Sequence, residues 1–491
     1  MRWLQRWFEP YDRVIERQKA LDLLCRRAGI ALLEDRPEAA LATVAEAWPL
    51  ARKVAYIDPR WHPRLIDFET HALYRLERHD ELERRLTVWM DEAATAQDPA
   101  LLAKCQYRLA LQRQATGQID LAKQLARVAL DGFRALQGDY RQDLALALGT
   151  LAELLNVEGY EQLPETQAAR SMANEAIGAW QEMLETSDGF TVPPIFALPD
   201  LYVLAKRYEE GQEWLRSATG GQLSTLAPVL LAEGHLNLGL GRWRAAIGFY
   251  GQALDLLSQG QQTLRGVVLA RIGHAHRSRS DYAAAEVAYR ESAEMSLASP
   301  FPHHWNACAS MSASLAVAMF RGREDDARTI ANRALALPAG DQWQAINLNN
   351  RGAVAAASGN HSAALTDFHA SLNQLESMHG ANDPRLHVPL VNLAASHSRL
   401  GQADQARTAV ARALRLNLSG GHLLNVRLEA ARLSLLGFEV VRDLWGSLPD
   451  EVTIAEDIEE HLRHYEEVGR VEESQELGRF AAAMRERLKA H

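Results

Sequence analysis

The stretch Trp243-Arg-Ala-Ala-Ile-Gly-Phe-Tyr-Gly-Gln-Ala-Leu254 indicates the fold of this chain. Counted from Ala246, apolar or small residues fall at i, i+1, i+4, i+7 and i+8, which is one face of an α-helix. Just before it, Leu240-Gly-Arg-Trp243 puts Gly241 where a preceding helix can end in the left-handed backbone conformation. Together the two segments predict a helical hairpin.

The alanine at position 246 has equivalents along most of the chain. Successive equivalents are 35 to 47 residues apart, and helical patterning within such a period is typical of stacked helical repeats. The other equivalents are Ala40, Ala122, Ala169, Ala285, Ala327, Ala364 and Ala406, with Leu82 and Gly211 in the same place in two further units. The sequence therefore predicts an all-α fold, an α-solenoid built from about twelve antiparallel helix pairs.

Small residues also stand in the first helix of several pairs, at Gly234, Gly273, Gly352 and Ala394. With the alanines of the second helix, they resemble the tetratricopeptide repeat (TPR). The stretch from His379 to Leu414, with Leu390-Val-Asn-Leu-Ala394, is similar to the longer repeats of kinesin light chains and related bacterial proteins. The resemblance implies a right-handed superhelix whose work is binding.

The repeats divide the chain into five expected stretches. We expect N-terminal capping helices in residues 1–27, degenerate repeats in 28–190, a proline-containing break with an irregular repeat in 191–225, five well-formed repeats in 226–416 and a C-terminal helical cap in 417–491. Prolines at 193, 194 and 199 forbid a continuous helix through the break. The break is either a boundary between two halves or a long loop.

Composition narrows the classes of protein. The formal net charge of -10 weighs against nonspecific nucleic-acid binding, so no nucleic-acid partner is expected. No apolar run approaches the ~20 residues that a membrane span needs. The three cysteines, Cys25, Cys105 and Cys308, lie far apart and form neither a disulfide framework nor a metal motif. We expect a cytoplasmic protein.

Enzymatic activity is not expected, because no catalytic or phosphate-binding motif is present. His274 and His276 are the densest imidazole pair, but two residues in a helix separate side chains by about 200°, so they cannot easily share a metal. His461 and His464 share a face but lack a further ligand in register. The sequence predicts no metal and no cofactor.

The resemblance implies a concave groove lined by the first helix of each pair, and it thereby points to polar groove residues. Carried over by offset from the small position, they are His235, Arg271, His274, Arg277, Asn349, Asn350, Asn392 and Arg399. Arginines with amide and imidazole donors favour a protein or peptide partner, an acidic one among them. The family's carboxylate clamp is not expected, because the matching lysines are missing. The open alternative is a solvated face without a ligand.

The N-terminal segment is a second candidate for docking. Trp3, Trp7 and Phe8 lie close together between arginines, and they either dock a partner or membrane surface, or cap the first repeat. Trp305 is likewise either a groove aromatic or a packing residue.

The leading functional hypothesis is a non-catalytic scaffold or adaptor that binds a protein or peptide within a larger bacterial signalling, regulatory or assembly system. Two alternatives remain. One is a sensor whose superhelix responds to a peptide or small molecule, and the other is a regulatory subunit of a separately encoded enzyme such as a protease or kinase. Residues 1–60 contain no basic recognition helix, which weighs against a DNA-binding receptor. The oligomeric state does not follow from the sequence.

Overall fold

A computed structural model confirms the all-α solenoid: the residues it describes form stacked α-helical hairpins. The description covers residues 11–418 except 34–35, 55–60, 77, 137–139, 157–162, 187–193, 195–196, 220–225, 259–260 and 299–302, and it also includes Val426. The helices are α1 Tyr11–Leu33, α2 Pro37–Val54, α3 Trp61–Arg75, α4 His79–Ala96, α5 Pro99–Ala115, α6 Ile119–Ala135, α7 Arg141–Leu155, α8 Pro164–Thr186, α9 Leu198–Leu204, α10 Tyr208–Thr219, α11 Ala227–Gly239, α12 Trp243–Leu256, α13 Gln262–Ser278, α14 Tyr282–Ala298, α15 His304–Phe320, α16 Glu324–Leu335, α17 Asp341–Ala357, α18 His361–His379, α19 His387–Arg399 and α20 Ala403–Leu414.

The twenty described helices make ten hairpins. We call the odd-numbered helix of each pair the A helix and the even-numbered one the B helix. The helix α1 runs across residues 27 and 28, where the sequence placed the end of the capping helices. Pro384–Leu386 adds a single 3₁₀ turn before α19. The expected cap at 417–491 lies outside the described residues, apart from 417, 418 and 426.

The repeated B-helix position lies at the contact between paired helices. All ten residues that the sequence aligned there are buried, including the substitutes Leu82 and Gly211. A small residue on the A helix faces this contact. At Gly234 the ring of Tyr250 lies so close that an added Cβ would overlap it. The same close approach relates Gly352 to Phe368. A small residue on one helix therefore admits a large aromatic ring from the other.

The turn from A helix to B helix uses one residue in the left-handed conformation. Gly241 has a φ of 70°, as its place in the sequence predicted. Glycine adopts this conformation without steric cost because it has no Cβ. The equivalent residues are Gly117, Lys206, Ser280, Gly322, Gly359 and Gly401, all with positive φ. At Lys206 and Ser280 a Cβ occupies a conformation that favours glycine.

The chain forms two compact units. The first comprises Met1–Arg279 and Ala283–Ala307, and the second comprises Ser280–Tyr282 and Cys308–His491. In their described parts, the first unit holds α1 to α13 and most of α14, and the second holds most of α15 with α16 to α20. The hydrophobic core is distributed along each stack, because every hairpin buries its apolar face against its neighbours.

Candidate functional site

The A helices form the inner side of the stack. In the first unit, each A helix from α1 to α9 contacts the next A helix, whereas successive B helices approach one another less closely. A stack whose elements crowd on one side curves toward that side. The A-helix side is therefore concave, and residues exposed on it face a groove.

Six polar side chains meet on this side of the first unit, and we call them the groove cluster. They come from α5, α7, α9, α11, α12 and α13. The members are Gln114, Glu153, Asp200, His235, Tyr250 and Arg271. His235 and Arg271 were among the residues predicted for the groove, and the other four were not. Six different helices thus contribute to one polar surface.

The two carboxylates of the groove cluster differ in their partners. Asp200 Oδ1 lies 2.9 Å from Nδ1 of His235, and its side chain is largely exposed. Glu153 accepts a hydrogen bond from Gln114 and lies within electrostatic range of Asp200, Arg271 and His235. Glu153 is exposed on the groove surface, although neighbouring helices partly desolvate its carboxyl. This desolvation raises the pKa of the Glu153 carboxyl, Asp200 raises it further, and Gln114 and Arg271 lower it only in part.

Tyr250 brings a hydroxyl to the same place from the B-helix side. Its ring passes over Gly234 and lies 5.6 Å from the ring of His235, centroid to centroid. The side chain is fully buried, and its hydroxyl has no hydrogen-bond partner in the described chain. Burial raises the pKa of Tyr250, which keeps the hydroxyl protonated. Arg271 and Asp200 lie within its electrostatic range.

Two contacts in the first unit join residues that lie far apart in the chain. The buried rings of His79, which starts α4, and His303, which precedes α15, have centroids 6.4 Å apart. A Cβ on Gly117, in the α5–α6 turn, would lie 3.2 Å from Cδ1 of Trp305. Trp305 therefore packs on a distant turn, which decides between the two roles left open for it.

Farther toward the N-terminus, the A helices are joined by a buried ionic bridge. Lys104 Nζ of α5 lies 2.7 Å from Asp67 Oδ2 of α3 and 3.0 Å from Asp143 Oδ1 of α7. An Arg108 guanidinium nitrogen lies 2.8 Å from Asp67 Oδ1. Burial alone would raise the pKa of Asp67, but Lys104 and Arg108 together lower it. These charges satisfy one another and leave little for a ligand.

In the second unit, neutral side chains bridge the A helices, and we call this set the amide ladder. Asn350 Nδ2 of α17 donates to Ser312 Oγ of α15 at 3.1 Å, and Asn392 Nδ2 of α19 donates to Asn349 Oδ1 at 2.9 Å. Asn347 completes the ladder, since its Nδ2 donates to the backbone oxygen of Ala334 at 3.1 Å. The predicted groove residues Asn349, Asn350 and Asn392 are thus all engaged between helices.

The remaining predicted residues are placed as follows. His274 on α13 is half-buried, while Arg277 on α13 and Arg399 at the end of α19 are exposed. The predicted residues fall into two sets, one in each unit. Trp3, Trp7 and Phe8 lie outside the described residues.

A cavity of about 390 Å³ lies among α16, α17 and α18. Its two arginines are already engaged, because Arg351 pairs with Asp367 through two hydrogen bonds of 2.8 and 2.6 Å, and Arg328 pairs with Asp325 at 3.0 Å. Within the described ranges, no group of three or more His, Cys, Asp or Glu side chains could hold a metal ion. No helix among the described residues is long and apolar enough to cross a membrane.

Sequence reasoning missed Glu153 and Asp200 for different reasons. Asp200 stands eleven residues before Gly211, as His235 stands before Ala246 and His274 before Ala285, so the repeat offset could have found it. Glu153 breaks this rule, because a longer connection, residues 156–163, separates α7 from α8. An offset counted back from Ala169 therefore falls in the connection and not in the helix.

A comparison of the sequence with protein-family profiles agrees with the helical hairpins of the second unit. The sequence profile described as "Tetratricopeptide repeat" matches residues 343–419, which contain α17 to α20. This segment consists of tetratricopeptide repeats. The match confirms the resemblance seen in the sequence, including the hairpin that follows Asp383-Pro384. None of the curated proteins matches the chain.

Several solved structures of helical-repeat proteins are similar to the chain. The Cut9 and Hcn1 hetero-tetramer of APC/C has 14% identity and a TM-score of 0.39, with 95% of this chain and 96% of that chain covered. The apo quorum sensor NprR from B. thuringiensis has 14% identity and a TM-score of 0.41, covering 66% and 99%. A Rap protein complexed with competence and sporulation factor has 13% identity and a TM-score of 0.41, covering 86% and 99%.

Proposed function

We propose that this chain is a non-catalytic scaffold or adaptor that holds a protein segment or peptide on its A-helix side. It would act as a subunit of a larger bacterial signalling, regulatory or assembly system, in the cytoplasm that the composition favours. The groove cluster carries this proposal, since six helices converge on one concave polar surface. Structural charges normally pair with one another, as in the ionic bridge, whereas Glu153 and Arg271 form no ion pair within 4.0 Å among the described residues.

The chemistry of the groove cluster suits an extended segment. Arg271 offers donors, and Glu153 and Asp200 offer acceptors. A bound backbone presents N–H and C=O groups in alternation, so a surface with both kinds of partner can satisfy them. The concave stack supplies the length of contact that a single pocket lacks.

Affinity purification with a groove variant tests the proposal. The wild-type chain and the variant Arg271→Glu, His274→Glu, Arg277→Glu would be used as baits in lysate of the source organism. A matched control, Arg127→Glu, Arg244→Glu, Arg290→Glu, places the same charges on exposed B-helix positions. We expect a partner, identified by mass spectrometry, that the wild type and the control retain and the groove variant loses. Equal retention by all three folded baits would reject the groove as the binding surface.

The contacts of His79 with His303 and of Gly117 with Trp305 favour a second candidate, a sensor that responds to a peptide. These contacts join the start of α4 and the α5–α6 turn to the residues at the start of α15. A ligand bound inside would then change how far the stack closes. Solution X-ray scattering with and without a peptide found by affinity purification would reveal a change in radius of gyration, and an unchanged curve would reject the sensor.

A further inference from the structure

The cavity among α16, α17 and α18 opens to solvent between the two B helices of this set. The side chains at its rim are exposed and come from α16 and α18; they are Arg328, Asn332, Ala363 and Thr366. Its base is buried and is formed by Val354 of α17 and Asp367 of α18. Its volume of about 390 Å³ lies within the range of ligand sites, which is about 300 to 1,000 Å³. The cavity is therefore large enough to hold a side chain of a second molecule.

Arg351 is held in the lining of this cavity by a buried carboxylate. Its Nε and Nη2 donate to Asp367 at 2.8 and 2.6 Å. Its third nitrogen, Nη1, makes no hydrogen bond within the described part of the chain, although the side chain is 41% exposed. A guanidinium has five donors, so the pair with Asp367 fixes its plane and leaves further donors for another acceptor.

The repeat does not require a charged pair at this place. Arg351 and Asp367 stand thirteen residues before and three residues after the repeated alanine of α18, and no other hairpin from α11 to α20 has opposite charges there. The α3–α4 hairpin has Glu69 and Arg85 at these positions, but there the ring of Trp89 covers the guanidinium, 5.2 Å from the ring centroid. Arg351 lines a cavity instead. A largely buried ion pair stabilises a fold little compared with apolar side chains, so this pair favours a role in binding.

The lining of the cavity has one positive charge in excess. It contains Arg328 and Arg351 against the single carboxylate of Asp367. Arg328 pairs with Asp325 at 3.0 Å, but the Asp325 side chain is 95% exposed, so water screens the pair and it contributes little. A carboxylate from a ligand can therefore compete for Arg328. One carboxylate would neutralise the excess, whereas a phosphate group brings close to two negative charges.

We propose that this cavity binds the carboxylate of an aspartate or glutamate side chain in a partner protein, with Arg328 and Arg351 as its donors. The two oxygens of a carboxylate match the parallel N–H groups of a guanidinium. A segment that crosses from α16 to α18 has backbone on both sides of such a side chain, and Asn332 and Thr366 offer hydrogen-bonding groups on the two rims. This inference goes beyond the proposed function, because it gives the adaptor a second binding surface, on B helices of the second unit.

Retention of defined peptides by the full chain tests this inference. The probes are pools of hexapeptides, acetylated and amidated so that the termini carry no charge. One position is fixed as glutamate, aspartate, glutamine or phosphoserine, and the others vary among uncharged residues. Retained peptides are counted by mass spectrometry. We expect the glutamate and aspartate pools to be enriched over the glutamine pool by about tenfold, the effect of one charge-assisted hydrogen bond, and the phosphoserine pool to be enriched less.

A single substitution on the rim separates this cavity from the rest of the surface. Arg328→Gln removes the excess charge at an exposed position and should remove most of the enrichment of the acidic pools. Arg407→Gln is the matched control, because Arg407 holds the same repeat position on α20 and pairs in the same way with the exposed Asp404. The control should retain the acidic pools as the wild type does.

A double substitution tests the held arginine without leaving a buried charge alone. Arg351→Leu with Asp367→Ala copies Leu393 and Ala409, the residues at the same positions of the next hairpin. Because apolar side chains can replace a buried ion pair without loss of stability, this variant should keep the helicity and cooperative melting of the wild type while it loses the enrichment. If it fails to fold, Arg328→Gln alone decides.

The possible outcomes are distinct. Equal retention of the acidic pools by the wild type and by Arg328→Gln would reject the cavity as their site, and so would an enrichment that the groove variant abolishes. A phosphoserine pool enriched above the glutamate pool would show that the carboxylate is the wrong ligand. No enrichment over the glutamine pool would reject the inference altogether. The proposed function is tested separately, because the groove variant changes residues of the first unit only.

Discussion

The A helices are joined by charged side chains in the first unit and by uncharged side chains in the second. In the first unit, the ionic bridge links α3, α5 and α7 through the buried charges of Asp67, Lys104 and Arg108 and the partly buried Asp143. In the second unit, the amide ladder links α15, α17 and α19 through uncharged side chains. The same helical hairpin therefore tolerates either solution at its inner side, as long as each polar group finds a partner.

The difference matters most when one partner is lost. A neutral amide or hydroxyl left alone loses one ordinary hydrogen bond, whereas a charge left alone in a buried site faces the cost of desolvation. We therefore expect the first unit to be sensitive to substitution and pH at its bridge, and the second unit to be tolerant. Because each hairpin contacts mainly its neighbours, the damage should remain local.

The largest expected effect follows from removing the shared carboxylate of the ionic bridge. Asp67→Ala leaves Arg108 without a carboxylate and Lys104 with Asp143 alone, which should destabilise the first unit by about 3–5 kcal/mol. Hydrogen exchange should report faster opening of α3, α5 and α7 and unchanged exchange in α17 and α19. Asp404→Ala, which breaks an exposed pair with Arg407, is the control and should cost at most ~1 kcal/mol. A loss below ~1 kcal/mol for Asp67→Ala would contradict the comparison.

A smaller effect is the dependence of the first unit's stability on pH. Because Lys104 and Arg108 lower the folded-state pKa of Asp67, its stabilising contribution is full above the unfolded value of 3.8 and disappears as pH falls from there through the folded value. Asp143 faces the same lysine, and burial raises its pKa. Burial, with Arg75 and Arg108, lowers the pKa of the nearby His71 to about 3, so His71 is neutral above that pH.

The measurement compares urea unfolding of the wild type with that of Asp67→Asn at pH 7, 4 and 3. The difference in unfolding free energy between them, about 1–3 kcal/mol at pH 7, should shrink below pH 4. The difference between the wild type and Asn347→Ala should stay constant over the same range. A constant difference for Asp67→Asn would mean that the carboxylate is not charged in the bridge.

Within the amide ladder, we expect a modest cost. Asn347→Ala removes the donor to the backbone oxygen of Ala334 and should destabilise the second unit by about 1–2 kcal/mol. Hydrogen exchange in α15, α16 and α17 would report it, while α3 to α7 stay unchanged. A cost as large as that of Asp67→Ala would remove the distinction between charged and neutral bridges.

The smallest effect lies in the turns. Ser280 holds a φ of 59°, where five of the described A–B turns have glycine, so Ser280→Gly should stabilise the chain by about 0.5–1 kcal/mol. The reverse change Gly359→Ala, at a φ of 78° with no atom within 4 Å of the added Cβ, should cost about 1 kcal/mol. Thermal unfolding of both variants measures the pair. Effects of the same sign would show that backbone conformation does not govern these turns.

The sequence predicted the fold better than the site. Ala246 and its equivalents predicted the hairpins because a buried helix contact repeats a small residue at a fixed place. The candidates His235 and Arg271 followed from the same offsets, and both belong to the groove cluster. Glu153 did not follow, because the α7–α8 connection shifts the count. Tyr250 was recognised only as a packing residue, and its ring does pack over Gly234.

By itself, the sequence determined which residues form helices, where hairpins turn and which faces pack, because these depend on local spacing and backbone conformation. Only the tertiary structure decided which polar residues meet across hairpins. Asp67 and Lys104 are 37 positions apart, and Glu153 lies far along the chain from Arg271. Such pairings depend on how successive hairpins stack and curve, and degenerate repeats with unequal connections do not encode that curvature in any short stretch of sequence.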